Sequence, residues 1–265
     1  MSLVVTADDL GLSPGVTRGI LEAHRDGVVG STSLLVTFPN AEQAAALALA
    51  EPGLEVGLHI DLVGGRPISD PALVPTLVDQ EGRFRPLGEL LRRLATGRVR
   101  ATELATEIRA QVARARALGT PALAWDSHRH VHLFPLVARV VAALARDEGA
   151  RWIRRGAPPR PTRGGKAPRR GIGSAGSGIF LRGMKGSDWY VDLTSRRPRP
   201  DAAWVGLLAA YGGLGEVSCH PGYADDALRA TDALVEAREA DLALLTDPLL
   251  RIAFGDDTVR WRVEA

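Results

Sequence analysis

The sequence of 265 residues holds one cysteine, Cys219, and only 5% aromatic residues. A single cysteine excludes an internal disulfide and a thiolate zinc knuckle, so any metal site must draw on histidines and carboxylates. Scarce aromatics leave no stacking platform for single-stranded nucleic acid. No apolar run reaches the roughly 18 residues that a membrane-spanning helix needs. Charge of one sign is also lacking. Thirty-three basic residues face 31 acidic ones, for a net charge of +2. The pI is nonetheless about 9.0 and arginine far outnumbers lysine. The field of the whole molecule argues little for a polyanionic partner, and neither nucleic acid nor a membrane span is expected. The first residues run straight into a strand pattern with no charged-then-apolar leader, so the expected location is cytoplasmic.

What is present is alternation. Apolar runs near residues 3–5, 33–36, 54–61, 123–128, 152–153 and 216–219 alternate with helical patterns near 14–26, 40–50, 101–118, 135–146, 201–211 and 230–245. Strands alternating with helices argue for a parallel sheet. No repeat and no linker interrupts the order, so residues 1–265 are read as one domain. Asn40 and Gln43 have capping-box spacing. Two stretches break the rhythm. Residues 62–100 read as a long excursion over the sheet's mouth with a short helix near Leu87–Leu94. Residues 154–188 are basic and rich in proline and glycine. They read as a solvated loop, with attraction of an anionic substrate or surface as the alternative.

The chemistry gathers where strands end. Thr6-Ala7-Asp8-Asp9-Leu10-Gly11 places two carboxylates where the first strand runs out and before a helix that Ser13-Pro14 opens. In α/β folds that is where active sites sit. On the third strand Gly57, His59 and Asp61 share one face by period-two alternation. Asp126-Ser127-His128-Arg129-His130-Val131-His132 ends the fourth strand, and His220 ends the last one. A parallel barrel would bring Asp8, Asp9, His59, His128 and His220 to one face. Two imidazoles and a carboxylate make a common open metal site. In an extended chain Asp126, His128, His130 and His132 would share a face, about 7 Å apart, so only one of the three histidines is expected as a ligand. The others would bind substrate or orient the ligand. Asp8 and Asp9 can share the site only if the strand-end turn redirects one of them.

These blocks, with Gly-Leu-His at 57–59 and Cys-His-Pro-Gly-Tyr at 219–223, resemble the signature blocks of the YdjC-like carbohydrate deacetylases. The resemblance spans nearly the whole chain in the same order, and a hopanoid-associated branch is similar in the opening half. The family's usual phenylalanine after the paired acids is Leu10 here. The resemblance implies a distorted, incomplete (β/α) TIM-like barrel that removes acetyl groups from N-acetylated sugars. It implies that Asp9, His59 and His128 hold one divalent metal, magnesium or zinc. Asp8 would be the general base and His220 the general acid. His130, His132, Asp61 and Tyr223 are expected to bind substrate. A homodimer is compatible with the family. The rival readings are another metal-dependent sugar hydrolase, phosphoesterase or isomerase on the same site, and, from a different class, a non-catalytic nucleic-acid-binding module using the basic loop.

Overall fold

The computed structural model describes residues 2–156, 179–194, 201, 208, 213–254, 258–259 and 261. The chain runs β1 (Ser2–Leu10), α1 (Pro14–Arg25), β2 (Ser31–Leu34), α2 (Ala41–Leu49), β3 (Glu55–Ile60), α3 (Leu87–Ala95) and α4 (Ala101–Ala117). It continues with β4 (Ala124–Ser127), α5 (Pro135–Asp147), β5 (Trp152–Ile153), β6 (Trp189–Asp192), β7 (Leu214–Cys219), α6 (Asp226–Thr231), α7 (Glu236–Leu245), α8 (Pro248–Phe254) and β8 (Thr258–Val259). Seven strands lie in the order β5-β4-β3-β2-β1-β7-β6, every pairing between them parallel, and β8 adds to the start of β1. Among the described residues the sheet curls into an incomplete barrel with β5 and β6 at its edges, as the resemblance implies. Among the described residues no helix is long and apolar enough to cross a membrane.

Each element has a local chemical cause, and several differ from the sequence expectation for physical reasons. Ser13 caps α1 by accepting from the Val16 backbone N–H at 3.2 Å, and Pro14 supplies the first turn. Val16, Ile20 and Ala23 face the core. Gly19 allows the closest approach, since a Cβ there would lie 2.5 Å from the Gly222 Cα, in the segment just after His220. The expected capping box at Asn40 does not form. Its amide accepts from Thr17 and donates to Gln43 instead of capping the helix. β2 is Ser31–Leu34 rather than 33–36, because its buried residues are hydroxyl-bearing and hide from a hydrophobic search. The helix expected at 230–245 is broken into α6 and α7 by Asp232, whose side chain instead accepts from the Leu234 N–H. No sequence pattern announces β6. Most of the basic run, residues 157–178, and most of the helix expected at 201–211 lie outside the described residues.

Candidate metal centre

The carboxylates and imidazoles meet at the carboxyl ends of the strands. Asp8 is the last inward residue of β1 before the turn. Asp9 then adopts a left-handed backbone, φ 71°, beside a register irregularity between Ala7 and Leu10. That turn is the redirection the adjacent pair requires, and aspartate tolerates it better than most residues. His59 stands opposite Asp126 in the β3–β4 register. Ala7 stands opposite Cys219, so Asp8 and His220 are each one step further along neighbouring strands.

Asp9 is the centre of the cluster. Its Oδ1 lies 2.8 Å from His128 Nδ1 and 3.3 Å from His59 Nε2. Its Oδ2 accepts from Arg238 at 2.7 Å. The other ring nitrogen of His59, Nδ1, donates to Asp126 Oδ1 at 2.6 Å, with Ser33 Oγ 2.9 Å away. A carboxylate behind an imidazole fixes its tautomer and leaves Nε2 aimed at Asp9, the usual arrangement behind a metal-ligating histidine. One donor atom from each of Asp9, His59 and His128 falls within 4.8 Å of the others, and all three residues are buried. Burial alone would favour neutral Asp9, but the charges on His128 and Arg238 hold it well below the usual carboxylate range. Burial likewise opposes charge on His59, yet the charge and hydrogen bond of Asp126, with Asp9 and Asp8, push it up to about 10. The surroundings therefore favour positive charge at this point. The donor set and this preference both fit a divalent cation.

Beside the triad, Asp8 is gripped from both sides of one guanidinium. Arg154 Nη1 and Nη2 donate to Oδ2 and Oδ1, each at 2.7 Å. Arg154 Nε donates to Glu216 at 2.9 Å. Asp126 Oδ2 is also 2.7 Å from Nη2 but outside hydrogen-bond geometry, so that contact is a charge pair only. Arg154 belongs to the run read as a solvated loop. It is instead fully buried. The period-two step from the inward Trp152 on β5 is the signal that could have found it. Arg238, also fully buried, carries no such signal, because a lone arginine on a helix reads as solvent-facing.

His220 lies on the far side of Asp8, with Nε2 4.0 Å from Oδ2. Thr194 donates its hydroxyl to Asp241, so it accepts from His220 Nδ1 at 2.7 Å, and Nε2 is the nitrogen facing the cleft. Asp8, Asp9, His59, His128 and His220 line a cleft of about 330 Å³, together with Leu87, His130 and Leu234. Cys219 takes no part. Its thiol is buried, donates to the Thr6 carbonyl, and is pushed well up by burial.

The four residues expected to bind substrate separate. The strand does not continue through the histidine run. Arg129 and His130 have left-handed backbones, φ 54° and 55°, inside a tight turn over His128–Leu133. The three histidines therefore point apart instead of sharing a face. His130 reaches the cleft wall, 3.1 Å from the Tyr190 hydroxyl. His132 has no exposed surface, accepts from Ser127 at 2.6 Å and donates to the Arg154 carbonyl at 3.1 Å. Both of its ring nitrogens are paired inside the fold. Asp61 is buried and spends its carboxylate on the backbone of Val63, Gly64 and Gly65. Tyr223 bonds Glu22 at 2.6 Å with Arg18 over its ring, against α1 and away from the cleft.

Burial, with the positive charge of His130, pushes His132 down to about 3. An unfolded histidine titrates near 6.5, so between those values the unfolded chain binds one more proton and stability falls as pH falls. His132→Gln, which keeps an acceptor and a donor, is expected to lose about 2 kcal/mol less than the wild type between pH 7 and pH 5. Urea unfolding of metal-free protein at both pH values measures this, and equal losses would refute it.

An incomplete α/β barrel with an Asp/His/His cluster at its mouth defines the class: a barrel enzyme whose open cleft carries a group that could hold a metal. The chain belongs to the YdjC-like protein family, whose pattern it matches over residues 2–254. A protein of Geobacillus stearothermophilus named carbohydrate deacetylase is 37% identical over 250 residues, 93% of this chain and 90% of the relative. One of Yersinia pestis named chitooligosaccharide deacetylase is 32% identical over 259 residues, 96% and 94% of the two chains. Among solved structures, an Enterococcus faecalis protein described as a candidate for cellobiose-phosphate cleavage superposes with a TM-score of 0.83 at 25% identity, covering 98% of this chain and 97% of that one.

Proposed function

We propose that this protein is a metal-dependent hydrolase that removes N-acetyl groups from amino sugars or their oligomers. The observation that carries the reading is the convergence of Asp9, His59 and His128 in a cleft, with Asp8 and His220 beside them. The names of the family relatives point the same way.

In this reading Asp9, His59 and His128 hold the ion. A divalent ion there would polarise the acetyl carbonyl and make a water acidic enough to lose its proton near neutral pH. Asp8 is the general base. Arg154 fixes the plane of its carboxylate, and each oxygen keeps a second lone pair for the water's proton. His220 delivers a proton from Nε2 to the leaving amine, and Thr194 and Asp241 hold its ring. Leu87 and Leu234 give the cleft an apolar wall suited to the acetyl methyl, and His130, which also lines the cleft, meets the sugar in this reading. The His/His/Asp set suits zinc, and magnesium is the second candidate.

Product analysis separates this reading from other metal hydrolases. Incubated with N-acetylglucosamine oligomers and with phosphorylated sugars, the protein is expected to release acetate and leave a free amine, without releasing phosphate. Phosphate release, or an isomerised sugar with its acetyl group intact, would replace the reading.

A further inference from the structure

α4 carries more than the apolar stripe its sequence shows. Glu103, Glu107 and Gln111, spaced four apart and so on one face, are also buried, at 5%, 0% and 0% exposure. Every one of them grips the backbone of the long excursion after β3. Glu103 accepts from the Thr76 N–H at 2.7 Å. Glu107 accepts from the Ile68 and Ser69 N–H groups, both at 3.0 Å. Gln111 takes both backbone groups of Asp61: its Oε1 accepts from the N–H at 2.9 Å and its Nε2 donates to the carbonyl at 2.6 Å. Gln111 Nε2 also donates to Glu107 at 2.8 Å, which joins the rungs.

The top rung lies closest to the metal centre. β3 ends at Ile60, one residue beyond His59, and a strand end with unpaired backbone groups frays. The Gln111 amide pairs those groups as a neighbouring strand would. Asp61 then folds the chain leading to Gly65 into a turn. Its Oδ1 accepts from the Val63 and Gly64 N–H groups, both at 2.9 Å, and its Oδ2 from Gly65 at 2.8 Å and the Thr37 hydroxyl at 2.7 Å. The turn so formed passes beside His128: a Cβ added at Gly64 would sit 3.1 Å from Phe38 Cζ and in van der Waals contact with the His128 ring, 3.5 Å from Cδ2 and 3.6 Å from Nε2. One network thus braces the strand that carries His59 and fixes the turn that passes beside the His128 ring. Asp61 and Gln111 do not line the cleft.

We propose that Asp61 and Gln111 are positioning residues that set the imidazoles of His59 and His128 for the metal, with α4 as their anchor. The proposal rests on the metal reading of the site given above. It accounts for a buried aspartate and glutamine that lie off the cleft, and for an acidic-amide stripe on a helix whose apolar residues alone would suffice for packing.

The test compares Gln111→Leu, Asp61→Asn and Gly64→Ala with a control at the far rung, Glu103→Gln. Metal-free proteins are titrated with zinc and with cobalt by calorimetry, cobalt spectra are recorded, and melting temperature, kcat and KM are measured. Gln111→Leu and Asp61→Asn are expected to weaken metal affinity about 10- to 100-fold, as lost support behind a ligand does. Their cobalt spectra should shift and kcat fall, with KM changed less than about threefold. Gly64→Ala leaves every hydrogen bond in place but sets a methyl tight against Phe38 and in contact with the His128 ring, so it keeps the proposal testable if the polar variants fold poorly; it should shift the cobalt spectrum too. Glu103→Gln should lower the melting temperature and leave metal affinity alone. Wild-type metal affinity and kcat in the first three variants, with only lower melting temperatures, would reduce the network to scaffolding and overturn the proposal. A wild-type protein that binds no divalent cation would overturn the reading of the site itself, and that failure shows before any variant is made.

Discussion

Asp9→Asn is expected to lose tight binding of a divalent cation and, with it, turnover by about 10³-fold or more, whereas Asp8→Asn keeps the metal and loses turnover by about 10²- to 10⁴-fold. The two residues are adjacent in sequence and both about 1% exposed, so composition does not distinguish them. Their partners do. Asp9 Oδ1 is the atom that two imidazoles share, and a neutral amide would offer a weaker donor and remove a negative charge. Asparagine tolerates the left-handed backbone that Asp9 adopts, so the fold should persist. Asp8 instead faces Arg154 and His220. As an amide it could not take up a proton, and one of its two bonds to Arg154 would become a clash of donors. Calorimetric titration with zinc, run beside turnover, separates the pair. Equal loss of metal from both variants would refute the division of labour.

Arg154→Met is expected to cost about 3–5 kcal/mol of stability, as removing one partner of a buried ion cluster does. The side chain has no exposed surface and stands between Asp8, Asp126 and Glu216. Burial works against its charge, but those three carboxylates hold its pKa well above the usual arginine value. Without it, three buried carboxylates face one another, and some must take up protons. Arg154→Lys should recover part of the stability and little of the turnover, because an ammonium cannot hold the Asp8 carboxylate in a two-bond plane while also reaching Glu216. Urea unfolding measures the first effect and kcat the second. A methionine variant within about 1 kcal/mol of the wild type would show that the cluster is not charge-balanced by this residue.

Much of the site is legible in the sequence because strand ends carry it. Asp8-Asp9, His59 and His220 each close a strand whose apolar alternation is plain, and a parallel barrel converges such ends. The division of the histidines is not legible. Nothing in Asp126–His132 announces that the strand stops at Ser127, or that Arg129 and His130 turn left-handed, so a period-two reading puts all three rings on one face. Arg154 is hidden by its neighbours, a long basic and glycine-rich run whose composition speaks for solvent. Asp61 and Tyr223 sit beside site residues in sequence, but their side chains turn to backbone and to α1. The polar stripe of α4 is invisible for a general reason: buried carboxylates that bind backbone N–H groups look, in sequence, like a solvated face. The parallel sheet is readable from alternation alone, except for β6 and β8, whose short runs come after irregular stretches, and its closing into an incomplete barrel came from the family resemblance.

The most direct measurement is acetate released from N-acetylglucosamine oligomers by protein stripped with a chelator, before and after a stoichiometric divalent metal is returned. The account predicts no release from the stripped protein and recovery on adding zinc or magnesium, with no recovery in Asp9→Asn. Full release from the stripped protein, or recovery in Asp9→Asn equal to wild type, would contradict it.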